Sequence, residues 1–203
     1  MAFIMVSVAN AATLSGTVKD KNGKDVEFAV ITLIGENVAI SGDNTHMPSP
    51  VMSQKNIKFT PFVLPVSKGS TVSFPNRDNI RHHVYSFSKV KRFELELYNG
   101  DEEKSVHFDK EGVVALGCNI HDSMLAYIYI VPSNKFSTTG KNGSLVINDI
   151  PAGTYKAQVW HPRLKGNIEN YEKEITLSDD QSFQLDFEID LKRERKRRNR
   201  GTY

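Results

Sequence analysis

Hydrophobic and polar residues alternate with a period of two along most of the chain from Leu14 onward, and almost no segment shows the period of an amphipathic helix. Turn signals such as Asn22-Gly23 and Asn142-Gly143 separate the short apolar runs, because glycine tolerates the positive φ of tight hairpins. We therefore predict an all-β chain. The predicted strands are 26–33, 62–66, 70–74, 82–88, 113–116, 125–131, 144–150, 154–160 and 183–189.

The number of strands and the length of 203 residues indicate two β-sandwiches. Segment 16–33 resembles the first two strands of the carboxypeptidase regulatory-like (transthyretin-like) sandwich, and segment 138–159 resembles later strands of the same family. The resemblance implies that residues 13–37 and 133–190 form one discontinuous sandwich, which flanks a different domain at 38–132. Two domains in tandem, the first with its own N-terminal strand pair, are the alternative.

The main chemical signal lies in segment 112–124, where Cys118, His121 and Met124 follow a predicted strand with the spacing Cys-x-x-His-x-x-Met. Thiolate, imidazole and a weak thioether are the donor types of a mononuclear copper site. One short loop cannot complete such a coordination shell by itself. A further imidazole must come from another strand, and His82 and His83 both offer it.

Residues from about 45 to 132 resemble the cupredoxins of the plastocyanin and amicyanin type. The family has its first histidine ligand eight residues after a phenylalanine, as Phe74 and His82 are spaced here, and a glycine six residues before the cysteine, as Gly112 and Cys118 are. The resemblance therefore favours His82 over His83. The sequence around these residues is also similar to that of a subgroup labelled methylamine utilization proteins.

This resemblance implies a Greek-key cupredoxin sandwich with one type 1 copper ion per chain. The implied ligands are His82, Cys118, His121 and Met124. The implied function is one-electron transfer between protein redox partners, without substrate turnover. In the family the histidine of the cysteine loop reaches the surface, which makes His121 the expected exit for the electron. An apolar docking rim around it would consist of Ile120, Leu125 and Pro75.

Two positions depart from the family pattern. His83 stands where an asparagine usually ties the ligand strand to the cysteine loop, so His83 either replaces that hydrogen bond, leaves the loop to be tied differently, or competes for the metal. Gly117 stands where the family often has an aromatic residue, which removes an electron path through that side chain.

Other functions use the same residues differently. A copper carrier or storage protein, and a metal-free adhesion or carbohydrate-binding sandwich, are the alternatives to electron transfer. A hydrolase with Cys118 as its nucleophile is the enzymatic rival, but no predicted helix N-terminus activates the thiol. The remaining histidines are expected to be solvated or structural, and they include His46, His107 and, as part of an aromatic core plug, His161.

Composition adds constraints on compartment and partners. A single cysteine excludes an intramolecular disulfide, and no stretch approaches the ~20 apolar residues of a membrane-spanning helix. A short apolar run before Ala9-Asn10-Ala11 predicts that residues 1–12 are the remnant of a secretory signal peptide and that the protein is periplasmic, with a frayed cytosolic N-terminus as the alternative.

The charges are unevenly distributed, because seven basic residues and one acidic residue lie in 191–203 while the rest of the chain has an acidic excess. We predict that 191–203 is a disordered basic tail that contacts anionic surfaces. Nucleic acid is not an expected partner of an exported protein.

Overall fold

The computed structural model describes residues 11–38, 49–100 and 102–194, and within these ranges it contains sixteen strands and a short 3-10 helix at Ile168–Tyr171. The strands of the first half are β1 (Ala12–Asp20), β2 (Val30–Ile34), β3 (Ser53–Gln54), β4 (Phe59–Thr60), β5 (Val63–Ser67), β6 (Ser70–Ser73), β7 (His82–Phe87) and β8 (Arg92–Tyr98). Those of the second half are β9 (Ser105–Phe108), β10 (Gly112–Cys118), β11 (Leu125–Val131), β12 (Phe136–Thr138), β13 (Ser144–Ile150), β14 (Gly153–Trp160), β15 (Glu172–Leu177) and β16 (Ser182–Ile189). The prediction of an all-β chain is confirmed.

The first sandwich combines the beginning and the end of the chain. A three-stranded sheet has the order β13-β1-β16, and a four-stranded sheet has the order β12-β2-β14-β15. Strand β1 is antiparallel to β13 and parallel to β16. Buried side chains from both sheets form one hydrophobic core, which includes Leu14, Ile31, Ile150, Tyr155 and Phe187.

The second sandwich lies between these two parts in the sequence. Its five-stranded sheet has the order β5-β11-β10-β7-β8, and the pairs β3-β4 and β6-β9 accompany it. A separate core includes Met52, Phe74, Phe108, Leu116 and Ile128. The predicted boundaries and the assignment to two domain families stay predictions.

An aromatic cluster joins the two sandwiches. Tyr129 of β11 stacks on Trp160 of β14, with ring centroids 4.5 Å apart and an interplanar angle of 26°. Tyr127 meets Trp160 edge-on at 6.4 Å, and Phe62 packs between Phe28 and Tyr127 at 5.2 and 5.5 Å. Because these rings come from both sandwiches, they fix one against the other.

The ends of the described chain bear on two of the sequence predictions. Leu191 forms a bridge with Leu164, and the N–H of Lys192 donates to the carbonyl of Arg163 at 2.8 Å. The first residues of the predicted basic tail therefore continue along the first sandwich. Most of the predicted signal remnant, His46, and the tail beyond residue 194 lie outside the described residues. No helix in the described part of the chain is long and apolar enough to cross a membrane.

Candidate metal centre

Two neighbouring strands bring the first histidine and the cysteine together. Strands β7 and β10 are antiparallel, with Gly117 opposite Tyr85 and Cys118 opposite Val84. Cys118 ends β10 and His82 begins β7, and because the two strands are antiparallel, both residues lie at the same end of the sheet. Side chains alternate between the faces of a strand, and His82 and Cys118 both point into the buried face, with 0% and 4% of their surface exposed.

The loop between β10 and β11 supplies the other sequence-predicted ligands. Gly117 pairs with Leu125 across its base, so only six residues connect the two strands. Within the loop, the N–H of Met124 donates to the carbonyl of His121 at 3.0 Å. Such a short, hydrogen-bonded loop has few conformations available. His121 is partly exposed, whereas Met124 is buried.

The donor atoms of three residues converge at this end of the sheet. The Sγ atom of Cys118 lies 3.9 Å from Nδ1 of His82 and 3.8 Å from Nδ1 of His121. All three donor atoms lie within 4.8 Å of one another, the one such cluster of histidine, cysteine or acidic residues in the described ranges. The two imidazole rings meet edge-on, with centroids 5.2 Å apart.

This donor set fits a soft transition-metal ion. Metal–nitrogen and metal–sulfur bonds are about 2.0–2.3 Å long in the well-characterised case of zinc, so donors 3.8–3.9 Å apart can share one ion. A thiolate with two imidazoles is the trigonal set that copper electron-transfer sites use. A hydrolytic dyad needs only one histidine beside its thiol. Two histidines approach Sγ of Cys118, so the arrangement favours a metal site over a hydrolase.

Met124 is positioned beside this cluster. It belongs to the same hydrophobic core as Cys118, with 2% of its surface exposed, and both residues line an open cleft at the protein surface. The structure thus keeps the thioether near the thiol in an apolar environment. Its role as a weak axial ligand stays a prediction.

A carboxylate that the sequence analysis missed contacts the first histidine. Oδ2 of Asp78 lies 2.8 Å from Nε2 of His82, the ring nitrogen that does not face the sulfur. The backbone N–H groups of Asn56 and Ile57 also donate to this carboxylate, at 2.6 and 3.0 Å. Burial alone would raise the pKa of Asp78, but the hydrogen bonds from Ile57, His82 and Asn56 outweigh it and hold the pKa below its usual value.

Two buried polar side chains, Asn76 and Tyr98, hold the loop that carries Asp78. Nδ2 of Asn76 donates to the carbonyls of Ile80 and Tyr98, at 2.8 and 3.0 Å, while its Oδ1 accepts from the N–H of Asp78 at 2.9 Å. Below it, the hydroxyl of Tyr98 donates to the carbonyl of Phe74 at 2.6 Å, and burial raises the pKa of Tyr98 to about 12. The loop between β6 and β7 is therefore attached to the core by polar contacts.

The second histidine of β7 faces the other side of the sheet. Nε2 of His83 lies 2.6 Å from Oε1 of Glu94 on β8, and its ring is 5.9 Å from that of Tyr85. Nδ1 of His83 is buried without a hydrogen-bond partner. Of the alternatives for His83, competition for the metal thus has no support in the geometry, since its donor atoms are not part of the convergent cluster.

Tyr85 occupies the space next to Gly117. A Cβ atom at Gly117 would lie 2.7 Å from Cζ and 2.8 Å from the hydroxyl oxygen of Tyr85. A side chain at this position would require the ring of Tyr85 to move, which favours glycine before Cys118. The neighbouring strand thus places an aromatic ring beside Gly117. The ring centroid of Phe87 lies 5.0 Å from that of Tyr85, and Phe87 is 75% exposed at the surface.

Three isoleucines are exposed on the segments that carry or support the candidate ligands. Ile120 of the β10–β11 loop is 50% exposed, Ile57 of the β3–β4 hairpin is 39% exposed, and Ile80 of the loop that carries Asp78 is 43% exposed. Of the rim predicted from the sequence, Ile120 is the most exposed member, while Leu125 and Pro75 are partly buried.

The other described histidines lie away from the cluster. His107 is exposed and its Nδ1 is 3.2 Å from the hydroxyl of Thr71. His161 is buried at the end of β14, where its Nδ1 accepts a hydrogen bond from the N–H of Arg163 at 3.0 Å. Burial, and then the charge of Arg163, lower the pKa of His161 to about 4, so it is a neutral ring at physiological pH.

The fold and the donor set define an all-β protein with a candidate His-Cys-His metal centre, and solved copper proteins show a distant likeness to it. A copper-containing nitrite reductase from Thermus scotoductus is 23% identical over 41% of this chain, with a TM-score of 0.39. This chain covers 22% of that reductase. A reduced amicyanin variant is 21% identical, over 50% of this chain and 98% of amicyanin, with a TM-score of 0.38.

An oxidised form of another amicyanin variant is 20% identical over the same shares of the two chains, with a TM-score of 0.39. No family model matches this chain, and no curated protein matches it. Similarity this low leaves the chemistry of the site to be argued from the residues of this chain.

Proposed function

We propose that this protein is a type 1 copper protein that transfers single electrons between protein partners in the periplasm. The convergence of His82 Nδ1, Cys118 Sγ and His121 Nδ1 carries the proposal. A thiolate, two imidazoles and a thioether make up the donor set of such sites, so His82, Cys118, His121 and Met124 would hold the copper ion. When bound, copper supplies a reversible couple between Cu(II) and Cu(I).

Rigidity of the donor residues suits electron transfer. Cys118 is held by the β7–β10 pairing and His82 by its pairing with Tyr98 of β8, and the loop with His121 and Met124 is closed by the β10–β11 pairing. Because these elements allow little rearrangement, one geometry serves both oxidation states. Three of the four side chains are buried, with at most 4% of their surface exposed, so little of the donor set meets water.

His121 gives the buried centre access to the surface. It is the partly exposed member of the donor set; Ile120 is exposed on its own loop, and Ile57 and Ile80 are exposed on the β3–β4 hairpin and the loop that carries Asp78. An apolar rim around an exposed ligand suits short-lived contact with a redox partner, because small interfaces of this kind release their partners quickly. The partners are proteins whose identity is open.

Export and partner class are supported by the sequence. The small-x-small pattern at Ala9-Asn10-Ala11 supports a periplasmic location. The sequence around the candidate ligands supports membership of the subgroup labelled methylamine utilization proteins. The basic segment after residue 190 is proposed to contact anionic surfaces.

A copper titration tests the proposal. The metal-free chain should bind one Cu(II) per molecule and acquire intense visible absorption through charge transfer from the thiolate of Cys118. Cys118→Ser should abolish that absorption. His107→Ala, which removes an exposed histidine from the same sandwich, should leave it unchanged. Copper binding without the absorption, or absorption that survives Cys118→Ser, contradicts the proposal.

A copper carrier is the second candidate, and one observation favours it. The open cleft lined by Cys118, Met124 and Asp122 gives solutes a path to the sulfur side of the centre. A carrier should lose its ion to a Cu(I) chelator within one cycle of reduction and reoxidation. An electron-transfer protein should keep it through repeated cycles.

A further inference from the structure

The carboxylate of Asp78 and the thiol of Cys118 contact opposite nitrogens of one imidazole ring. Nε2 of His82 lies 2.8 Å from Oδ2 of Asp78, and Nδ1 lies 3.9 Å from Sγ of Cys118. The side chain of His82 is fully buried and that of Asp78 is 12% exposed. A neutral imidazole carries one N–H, and a carboxylate accepts but does not donate. The proton therefore belongs on Nε2, and Nδ1 is left with its lone pair toward the sulfur.

The hairpin between β3 and β4 is built onto the same carboxylate. Lys55 and Lys58 exchange backbone hydrogen bonds at 2.9 and 3.2 Å, and the two residues between them, Asn56 and Ile57, have φ values of 55° and 57°. A positive φ is rare for a β-branched residue. In this conformation both N–H groups point at Asp78. The carboxylate thus stabilises a strained turn.

The loop of Asp78 is also fixed from its other side. The N–H of Asp78 donates to Oδ1 of Asn76 at 2.9 Å, and the N–H of Arg77 donates to the carbonyl of Gln54 at 2.8 Å. Asp78 therefore has little freedom to move away from His82. A carboxylate that is held this firmly can orient the ring it contacts.

We infer that Asp78 is a positioning residue of the metal centre, which selects the Nε2–H tautomer of His82 and adds negative charge behind that ligand. Hydrogen bonding of a ligand histidine to a carboxylate fixes its tautomer and raises its basicity. The added negative charge stabilises Cu(II) more than Cu(I), so it lowers the reduction potential. The part that concerns copper rests on the proposed function, and the part that concerns the tautomer does not.

Nitrogen NMR of the metal-free full-length chain tests the tautomer. At pH 8 the wild-type protein should show Nε2 of His82 protonated and Nδ1 unprotonated. A protonated Nδ1 overturns the inference. This measurement needs neither copper nor a variant, so it decides even where Asp78→Asn does not fold, and it is independent of whether the protein binds copper.

The copper-loaded chain tests the effect of the charge. Asp78→Asn should bind Cu(II) 10–100-fold more weakly in competition with a chelator, the range found when such partners are removed. A tenfold larger loss for Cu(II) than for Cu(I) raises the potential by about 59 mV. The matched control is Asp109→Asn, the same change at an exposed carboxylate that pairs with Lys91 in the same sandwich. A potential that shifts equally, or not at all, in both variants overturns the inference, whereas a wild-type chain that binds no copper overturns the proposed function alone.

Discussion

His161 is buried as a neutral imidazole in the first sandwich, and its protonation should destabilise the fold as the pH falls. Burial lowers its pKa from the ordinary 6.5 to about 4, with a further contribution from Arg163. The folded state therefore binds a proton less readily than the unfolded chain. The stability that this group contributes is fully present above pH 6.5 and is lost progressively as the pH falls toward 4.

The size of the effect follows from the two pKa values. One pKa unit corresponds to about 1.36 kcal/mol, so His161 should cost about 2 kcal/mol of unfolding free energy between pH 7.5 and pH 5. His161→Gln has no titrating group and can still accept a hydrogen bond from the N–H of Arg163. Between pH 7.5 and pH 5, the unfolding free energy of His161→Gln should therefore fall by about 2 kcal/mol less than that of the wild type.

Urea unfolding of the metal-free protein at several pH values measures this difference. His107→Gln is the matched control, because it removes an exposed histidine and should keep the wild-type profile. If wild type and His161→Gln lose the same free energy between pH 7.5 and pH 5, the burial argument for His161 is wrong.

Three further substitutions test packing and backbone geometry. Trp160→Ala removes the half-buried ring that stacks on Tyr129, and should lower the unfolding free energy by about 2–3 kcal/mol in urea unfolding; an unchanged value would mean that this cluster does not join the sandwiches. Gly117→Ala places a Cβ atom 2.7 Å from Tyr85 and should cost about 1–3 kcal/mol, seen as a lower Tm, unless the ring of Tyr85 swings away without cost. Ile57→Gly should raise the unfolding free energy by about 1 kcal/mol because glycine adopts a φ of 57° without strain, and a loss of stability would show that the isoleucine side chain matters more than the turn.

The strands that the alternation pattern predicted best are those with one buried and one solvated face or with continuous apolar character. The predicted ranges 125–131 and 144–150 agree with Leu125–Val131 and Ser144–Ile150. Two- and three-residue strands such as Phe59–Thr60 and Phe136–Thr138 are too short to show a period. Arg92–Tyr98 was not among the predicted strands although its apolar residues alternate, because the dense charges of this edge strand are also typical of loops.

Part of the candidate site can be predicted from local sequence, and the rest depends on contacts that only the fold creates. Cys118, His121 and Met124 lie within seven residues, so their spacing alone indicates a donor set. Asp78 is four residues before His82, but its importance depends on the β3–β4 hairpin, whose N–H groups reach it from more than twenty residues away in the sequence. A hairpin tip of Lys55-Asn56-Ile57-Lys58 carries little local signal of such a contact, since Ile57, a β-branched residue, rarely adopts the positive φ that it has here.

The most direct test of the account is the electron paramagnetic resonance spectrum of the full-length chain loaded with one equivalent of Cu(II). Strong covalency between copper and the thiolate of Cys118 should give the small parallel hyperfine splitting of a type 1 site, and Cys118→Ser should replace it with the large splitting of a tetragonal nitrogen and oxygen site. A wild-type spectrum that already shows the large splitting, and that Cys118→Ser leaves unchanged, would contradict the assignment of His82, Cys118 and His121 as the ligands of a copper electron-transfer centre.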